Sequence, residues 1–429
     1  MREVDRFRVA ARPDPGGMIR RCFHRLGAEG LRASWHMLAA FTAGLIFFRW
    51  AGAHGLADTA LAARLVIALS VAAGVGAAWR EARPRRQGAA VTMPAHDALR
   101  AKTVAIWVCL LALLLWPTLL ARVFPIWPTQ ASFNTEYLLA LPALLLLTPA
   151  YVRWAERRMP QPDDGYARLG QVLLGRRRWR WDEQRPLLLA WVVKLFFIPL
   201  MYTWLVMAVT SLLGLEWRWS PTVVVAGLFA FGLGADLLIA TAGYVFASRL
   251  LDNEVRSTDT TWLGWMCCVL CYPPLLAVLH ALRQQTDDVI WSDWLQPADP
   301  LYWLWAALVT LTWLVYWVST MAFGLRFSNL SWRGLVDTGP YRYTRHPAYL
   351  SKNLYWWLHT VPFVGVADAR DLMRNLAGLV FVSTVYYLRA KTEERHLMAF
   401  PEYAAYAARI GRDGGWARCR RRLRAARPA

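Results

Sequence analysis

The sequence predicts an all-α, polytopic transmembrane bundle of about ten spans with both termini cytoplasmic. Three observations carry that expectation. Of 429 residues, 57% are hydrophobic and only 18% are charged, which is too apolar for an ordinary soluble domain. The apolar residues gather in blocks near the ~20 residues needed to cross ~30 Å of hydrocarbon. The basic residues, which give a formal net charge of +20, sit in short clusters between the blocks. That is the pattern of loops facing anionic membrane lipids, and it argues against a nucleic-acid partner.

In chain order the expected spans run Ser34 to Ala51, Thr59 to Trp79, Thr103 to Phe124, Glu136 to Trp154, Leu187 to Leu213, Pro221 to Ser248, Thr260 to Leu282, Leu301 to Phe323, Tyr349 to Val366 and Asn375 to Leu388. Basic clusters precede the first (Arg20, Arg21, Arg25) and follow the second (Arg80, Arg83, Arg85, Arg86), the fourth (Arg153, Arg157, Arg158, Arg176 to Arg178, Arg180) and the eighth (Arg326, Arg333, Arg342, Arg345). The alternate loops are short or acidic, as at Asp287, Asp288, Asp293 and Asp299. Every second loop is therefore assigned to the cytoplasm. Met1 to Gly30 is basic and lacks the cleavage pattern of a secretory signal.

Charges inside spans demand partners. Lys194 and Asp236 lie at depths of roughly 12 and 18 Å at ~1.5 Å per residue, a gap a lysine stem can bridge, and are read as a buried pair, the lining of a cavity or part of an ion pathway, whereas Arg49 and Arg64 are expected to snorkel. Gly227, Gly232 and Gly234 permit close helix packing. Cys267, Cys268 and Cys271 are small packing residues rather than metal ligands, Cys22, Cys109 and Cys419 are scattered, and no metal is expected. His280 and His359 are read as packing histidines. Arg176 to Trp181, basic with interleaved tryptophan, is expected to form a surface helix on anionic lipid, with capture of a substrate headgroup as the alternative.

The chemistry concentrates near the end of the chain. Gly339-Pro340-Tyr341-Arg342-Tyr343-Thr344-Arg345-His346-Pro347-Ala348-Tyr349 is answered some forty residues later by Arg389-Ala390-Lys391-Thr392-Glu393-Glu394-Arg395. Pro347 suits the first turn of a helix and pushes His346 out of the helical region, so His346 is an N-cap position. The helix start, with Arg342 and Arg345, offers an anion site, and Tyr341, Tyr343 and Tyr349 add aromatic faces. Glu393 and Glu394 are rotated ~100° apart on their helix and reach different partners. A ligand suited to these groups carries a carboxylate, an ammonium or diol, and a flat ring or soft cation. S-adenosylmethionine has all of these, although a nucleotide or a phospholipid headgroup would also suit the arginines and tyrosines.

These blocks, with Phe400-Pro401-Glu402-Tyr403-Ala404-Ala405-Tyr406 after them, resemble the isoprenylcysteine carboxyl methyltransferase family and its bacterial relatives. The resemblance covers about the last hundred residues. It implies a membrane methyltransferase whose S-adenosylmethionine lies between the Arg-His-Pro loop and the Glu-Glu helix, with Tyr341, Arg342, Arg345, His346, Pro347, Tyr349, Glu393 and Glu394 as cofactor-binding residues and Arg389 and Glu394 in catalytic roles. Residues 1–33 then form a basic cytoplasmic segment, 34–300 a seven-span region with a basic cytoplasmic loop at 155–186, 301–412 the methyltransferase-like core and 413–429 a basic tail. The expected acceptor is a lipid-soluble or membrane-embedded carboxylate, thiol or amine. The Arg-, Ala-, Gly- and Trp-rich composition points to a bacterial inner membrane with the site facing the cytoplasm. Two other classes fit less of the chain. One is an NADPH-dependent reductase of the sterol-reductase type, which shares an Arg-His-Pro segment, and the other is a transporter using Lys194 and Asp236.

Overall fold

Inside a bilayer every backbone N–H and C=O must find its partner within its own segment, so long uncharged apolar runs become helices. The computed structural model describes residues 31–83, 96–123, 131–216, 220–283 and 289–425. The expectations placed on Arg20, Arg21, Cys22, Arg25, Arg85, Arg86, Asp287 and Asp288 lie outside these residues. The helices are α1 (Leu31–Ala53), α2 (Thr59–Glu81), α3 (His96–Val123), α4 (Ala131–Arg158), α5 (Gly165–Leu173), α6 (Trp181–Gly214), α7 (Pro221–Val245), α8 (Trp262–Val269), α9 (Leu276–Arg283), α10 (Trp291–Trp294), α11 (Pro300–Phe323), α12 (Pro347–Thr360), α13 (Ala369–Leu397), α14 (Pro401–Asp413) and α15 (Gly415–Ala425). Among the described residues, seven helices are long and apolar enough to cross a membrane: α1 to α4, α6, α7 and α11.

The other three expected crossings take different forms. Thr260 to Leu282 is not one helix: α8 and α9, of eight residues each, are separated around Pro273 and Pro274, which have no N–H to continue a helical ladder. Tyr349 to Val366 yields the 14-residue α12. Asn375 to Leu388 is the middle of the 29-residue α13, whose first turns carry Arg370, Asp371 and Arg374. All three run between the same two ends of the bundle. At one end Arg395 Nη2 donates to Thr261 Oγ1 at 2.7 Å. At the other, Trp305 Nε1 donates to Leu358 O at 2.7 Å and Asn375 Nδ2 to Pro362 O at 3.2 Å.

One core joins the N-terminal helices to the C-terminal part. Met37, Phe41, Val66, Phe197, Leu205, Leu238 and Tyr244 pack in a single buried cluster that also takes in Met321 and Leu325. Apolar tails of lipid compete with such contacts, so close packing against small residues decides the fit. A Cβ at Gly74 would overlap Met37, and one at Gly232 would overlap the Trp317 indole. Glycine there lets α2 meet α1 and α7 meet α11.

Several charges find partners other than those expected. Arg64 pairs with Glu136 at 2.6 Å, and Glu136 also accepts from the Tyr202 hydroxyl. Arg49 donates to Leu212 O and Leu213 O at the end of α6. Lys194 and Asp236 are not a pair, because Lys194 lies over the Trp191 ring at 4.9 Å while Asp236 accepts from the Tyr316 hydroxyl at 2.7 Å. Arg176 to Arg180 is not helical; Arg176 pairs with Asp97 at 3.1 Å and Arg177 with Glu183 at 2.8 Å. Ahead of it, α5 is clasped by a network in which Lys102 joins Glu156 at 2.7 Å and Asp164 at 2.9 Å, with Arg249 bridging the same two carboxylates.

Arg333, counted above among lipid-facing charges, is instead buried. It donates to Asn253 O, Gly243 O and Phe327 O at 2.7 to 2.8 Å. Beside it, Ser331–Trp332 (β2) pairs antiparallel with Ser257–Thr258 (β1). An Arg333→Met protein strands three carbonyls, and a stability loss on the order of 3 kcal/mol is expected. Thermal unfolding of the detergent-purified protein measures it, and an unchanged midpoint would contradict this role.

Candidate active site

The loop before α12 is shaped first by its backbone. Gly339 takes φ of 58°, a left-handed conformation that costs glycine nothing and other residues strain, and the chain turns there into the single 3-10 turn Gly339–Arg342. The tail helices then hold the loop. The Tyr406 hydroxyl donates to Tyr341 O at 2.8 Å, the Gly415 amide donates to Tyr343 O at 2.8 Å, and Arg409 pairs with Asp337 at 2.6 Å. Trp332 stacks on Phe400 with 4.9 Å between ring centres.

His346 is the N-cap residue of α12 and Pro347 opens the helix. The His346 side chain does not cap its own helix; Nε2 lies 3.4 Å from Glu394 Oε2. Arg345 Nη1 donates to Glu394 Oε1, and Lys391 Nζ stands 3.4 Å from Oε2. The neighbouring Glu393 turns the other way and accepts from the Tyr349 hydroxyl at 2.7 Å. The hydrogen bond with His346, followed by the charges of Arg345 and Lys391, holds Glu394 down at about 2 although burial acts in the opposite sense. A carboxylate this acidic stays charged at neutral pH and is a poor proton acceptor.

Arg389, one turn earlier on α13, is buried, with 7% of its surface exposed. Its Nη2 donates to Asn329 Oδ1, and its guanidinium lies over the rings of Tyr272 at 5.6 Å and Tyr349 at 5.5 Å. Asn329 is itself fixed: its Nδ2 donates to the hydroxyls of Tyr244 at 2.8 Å and Tyr272 at 3.1 Å, so its carbonyl oxygen points at Arg389. No carboxylate pairs with Arg389 among the described residues.

The structure thus brings together Arg345, His346, Tyr349, Arg389, Glu393 and Glu394, with Pro347 buried at the base. It does not bring in three others. Tyr341 is buried with its ring edge-on to Phe323 at 5.2 Å and serves the loop through its carbonyl. Arg342 stays exposed, outside the cluster. Tyr343 is exposed beneath Arg418, whose guanidinium is 5.4 Å from the ring. Sequence reading missed Asn329 and Tyr272. The signal for Tyr272 was the Pro273-Pro274 pair beside it, which marks broken helix inside an apolar run; Asn329 carried none.

This arrangement defines a polytopic helical membrane protein with a cluster of charged and aromatic side chains at one end of its bundle, among them Arg389 and Glu393. Residues 302–399 match the model of the isoprenylcysteine carboxyl methyltransferase (ICMT) family. The C-terminal part is therefore similar to that family, and the match supports a membrane methyltransferase. It covers less than a quarter of the chain, and α1 to α10 lie outside it. No curated protein and no solved structure matches the chain.

Proposed function

We propose that the protein is an S-adenosylmethionine-dependent methyltransferase that acts on a lipid-soluble acceptor. The observation that carries this reading is the buried guanidinium of Arg389, held by a neutral amide oxygen and two aromatic faces, with Glu393 and Glu394 one turn further along the same helix. Leaving a buried cation without a counter-charge is costly, and a ligand carboxylate supplies one. Glu393 has one oxygen on Tyr349 and one left for a ligand ammonium or ribose diol. Tyr349 and Tyr272 present π-faces suited to a sulfonium. The donor set fits the cofactor.

When bound, that cofactor supplies a methyl group already activated by its positive sulfur, so the chain's own residues have little covalent work to do. Arg389 orients the carboxylate end and Glu393 the opposite end, which fixes where the methyl points. Glu394 holds Arg345 and His346 in place and does not take protons. The apolar wall of α12 and α13 keeps water from the transfer path. The basic loops near this end, with the tail helix α15, support a cytoplasmic orientation against anionic lipid.

Transfer of tritiated methyl from S-adenosylmethionine into extractable membrane lipid by the purified protein tests the reading. Labelled lipid is expected, and none with a folded protein would contradict it. A pH experiment tests the role given to Glu394. Because its folded value lies below the ordinary 4.5, its stabilising contribution is complete above that value and fades as pH falls toward 2. Between pH 3 and 5 the Glu394→Gln protein should therefore lose less stability than the parent, and parallel curves would contradict the ion cluster.

A further inference from the structure

One turn deeper than the cofactor cluster lies a second polar group that the mechanism above does not use. Lys352 follows Tyr349 by three residues on the same face of α12, ~4.5 Å further along its axis. Its ammonium sits 4.1 Å from the centre of the Tyr316 ring on α11 and makes no hydrogen bond among the described residues. The Tyr316 hydroxyl donates to Oδ2 of Asp236 on α7 at 2.7 Å. Asp236 is 9% exposed and its Oδ1, fully buried, has no partner at hydrogen-bond distance, with the Thr320 hydroxyl of α11 also acting on this carboxylate. Lys352 and Asp236 act on each other electrostatically, and Lys352 also feels Arg389. Tyr316 of α11 thus has beside it an ammonium from α12 and a buried carboxylate oxygen from α7 that make no hydrogen bond among the described residues.

We propose that Asp236, Tyr316 and Lys352 form the seat for the acceptor's polar head, and that this head is an alcohol or phenol hydroxyl on a lipid-soluble molecule. The proposal rests on the methyltransferase reading and adds the chemical class of its substrate. A hydroxyl accepts from Lys352 through its oxygen and donates its proton to Asp236 Oδ1, so one group satisfies both vacancies. A carboxylate has no proton to donate to Asp236 and would add a second anion beside it, and an alkylamine, an ammonium at neutral pH, has no lone pair to accept from Lys352. The seat's own charges balance, which suits a neutral head in a low-dielectric setting. Transfer to that oxygen forms a C–O bond and breaks the S–C bond with its electron pair left on sulfur, while the hydroxyl proton passes to Asp236. Asp236 comes from α7, within the N-terminal region, which is how that region enters substrate choice.

The test uses the full-length protein in lipid nanodiscs with methyl-tritiated S-adenosylmethionine and the total lipid extract of its host membranes. Asp236→Asn, Tyr316→Phe and Lys352→Met are compared with the parent for cofactor affinity by calorimetry and for label transfer. Affinity is expected to stay within about twofold, since separate sites act independently, while transfer falls ~tenfold or more, through a raised KM for the extract in Tyr316→Phe and Lys352→Met and through kcat as well in Asp236→Asn, which can take no proton. Lys352→Arg, which keeps a donor, is expected to restore part of the loss. The labelled product should resist mild alkali and remain neutral on acid extraction, as an ether does. Unchanged transfer in Asp236→Asn, an alkali-labile ester product or a basic amine product would overturn the seat as described. Failure of the parent itself to bind the cofactor would instead remove the methyltransferase reading on which the seat depends.

Discussion

Replacing Arg389 with methionine is expected to reduce methyl transfer by at least ~100-fold while the protein still purifies as a folded membrane protein. Methionine fills much of the same volume between the Tyr272 and Tyr349 rings, so packing is largely kept. What disappears is the charge. Asn329, held by Tyr244 and Tyr272, keeps its carbonyl aimed at the vacated position and would repel a ligand carboxylate there. Lysine restores a charge but not the planar fork that spans an amide oxygen and a carboxylate together, so Arg389→Lys should recover only part of the rate. Label transfer measured at saturating cofactor separates this from weak binding. Full activity in Arg389→Met would mean the guanidinium is only structural.

The second large effect is at Glu394. Its two oxygens gather Arg345, His346 and Lys391, and it is the only carboxylate among the described residues on which these three converge. Glutamine keeps the shape but leaves that positive charge uncompensated in a half-buried loop, and the loop opens to water. Cofactor affinity is expected to fall ~10- to 100-fold, the range for losing a hydrogen bond to a charged group. The rate at saturation should change less, because Glu394 is too acidic to move protons. If the rate at saturation collapsed and affinity held, Glu394 would be acting on the transfer itself.

How much of this was legible follows from what each residue depends on. Arg345, His346, Tyr349, Glu393 and Glu394 were readable because their geometry is set locally, by a proline after an N-cap and by the angle between neighbours on a helix. Asn329 and Tyr272 were not, since they reach Arg389 only through packing of three separate segments. The pairing of Lys194 with Asp236 failed because depth along a helix says nothing about which way it faces; Asp236 turns to α11 and Lys194 to Trp191 on its own helix. Arg333 misled for a related reason, as a charge count cannot distinguish a headgroup contact from three buried carbonyls. The segment from Thr260 read as one span because a hydropathy window averages over the Pro273-Pro274 break.

Calorimetric titration of the full-length protein in nanodiscs with S-adenosylmethionine, and in parallel with NADPH, tests the central claim most directly. One saturable site for S-adenosylmethionine, weakened in Glu394→Gln and absent for NADPH, is the predicted result. Saturable binding of NADPH without S-adenosylmethionine, or binding of neither by folded protein, would contradict it.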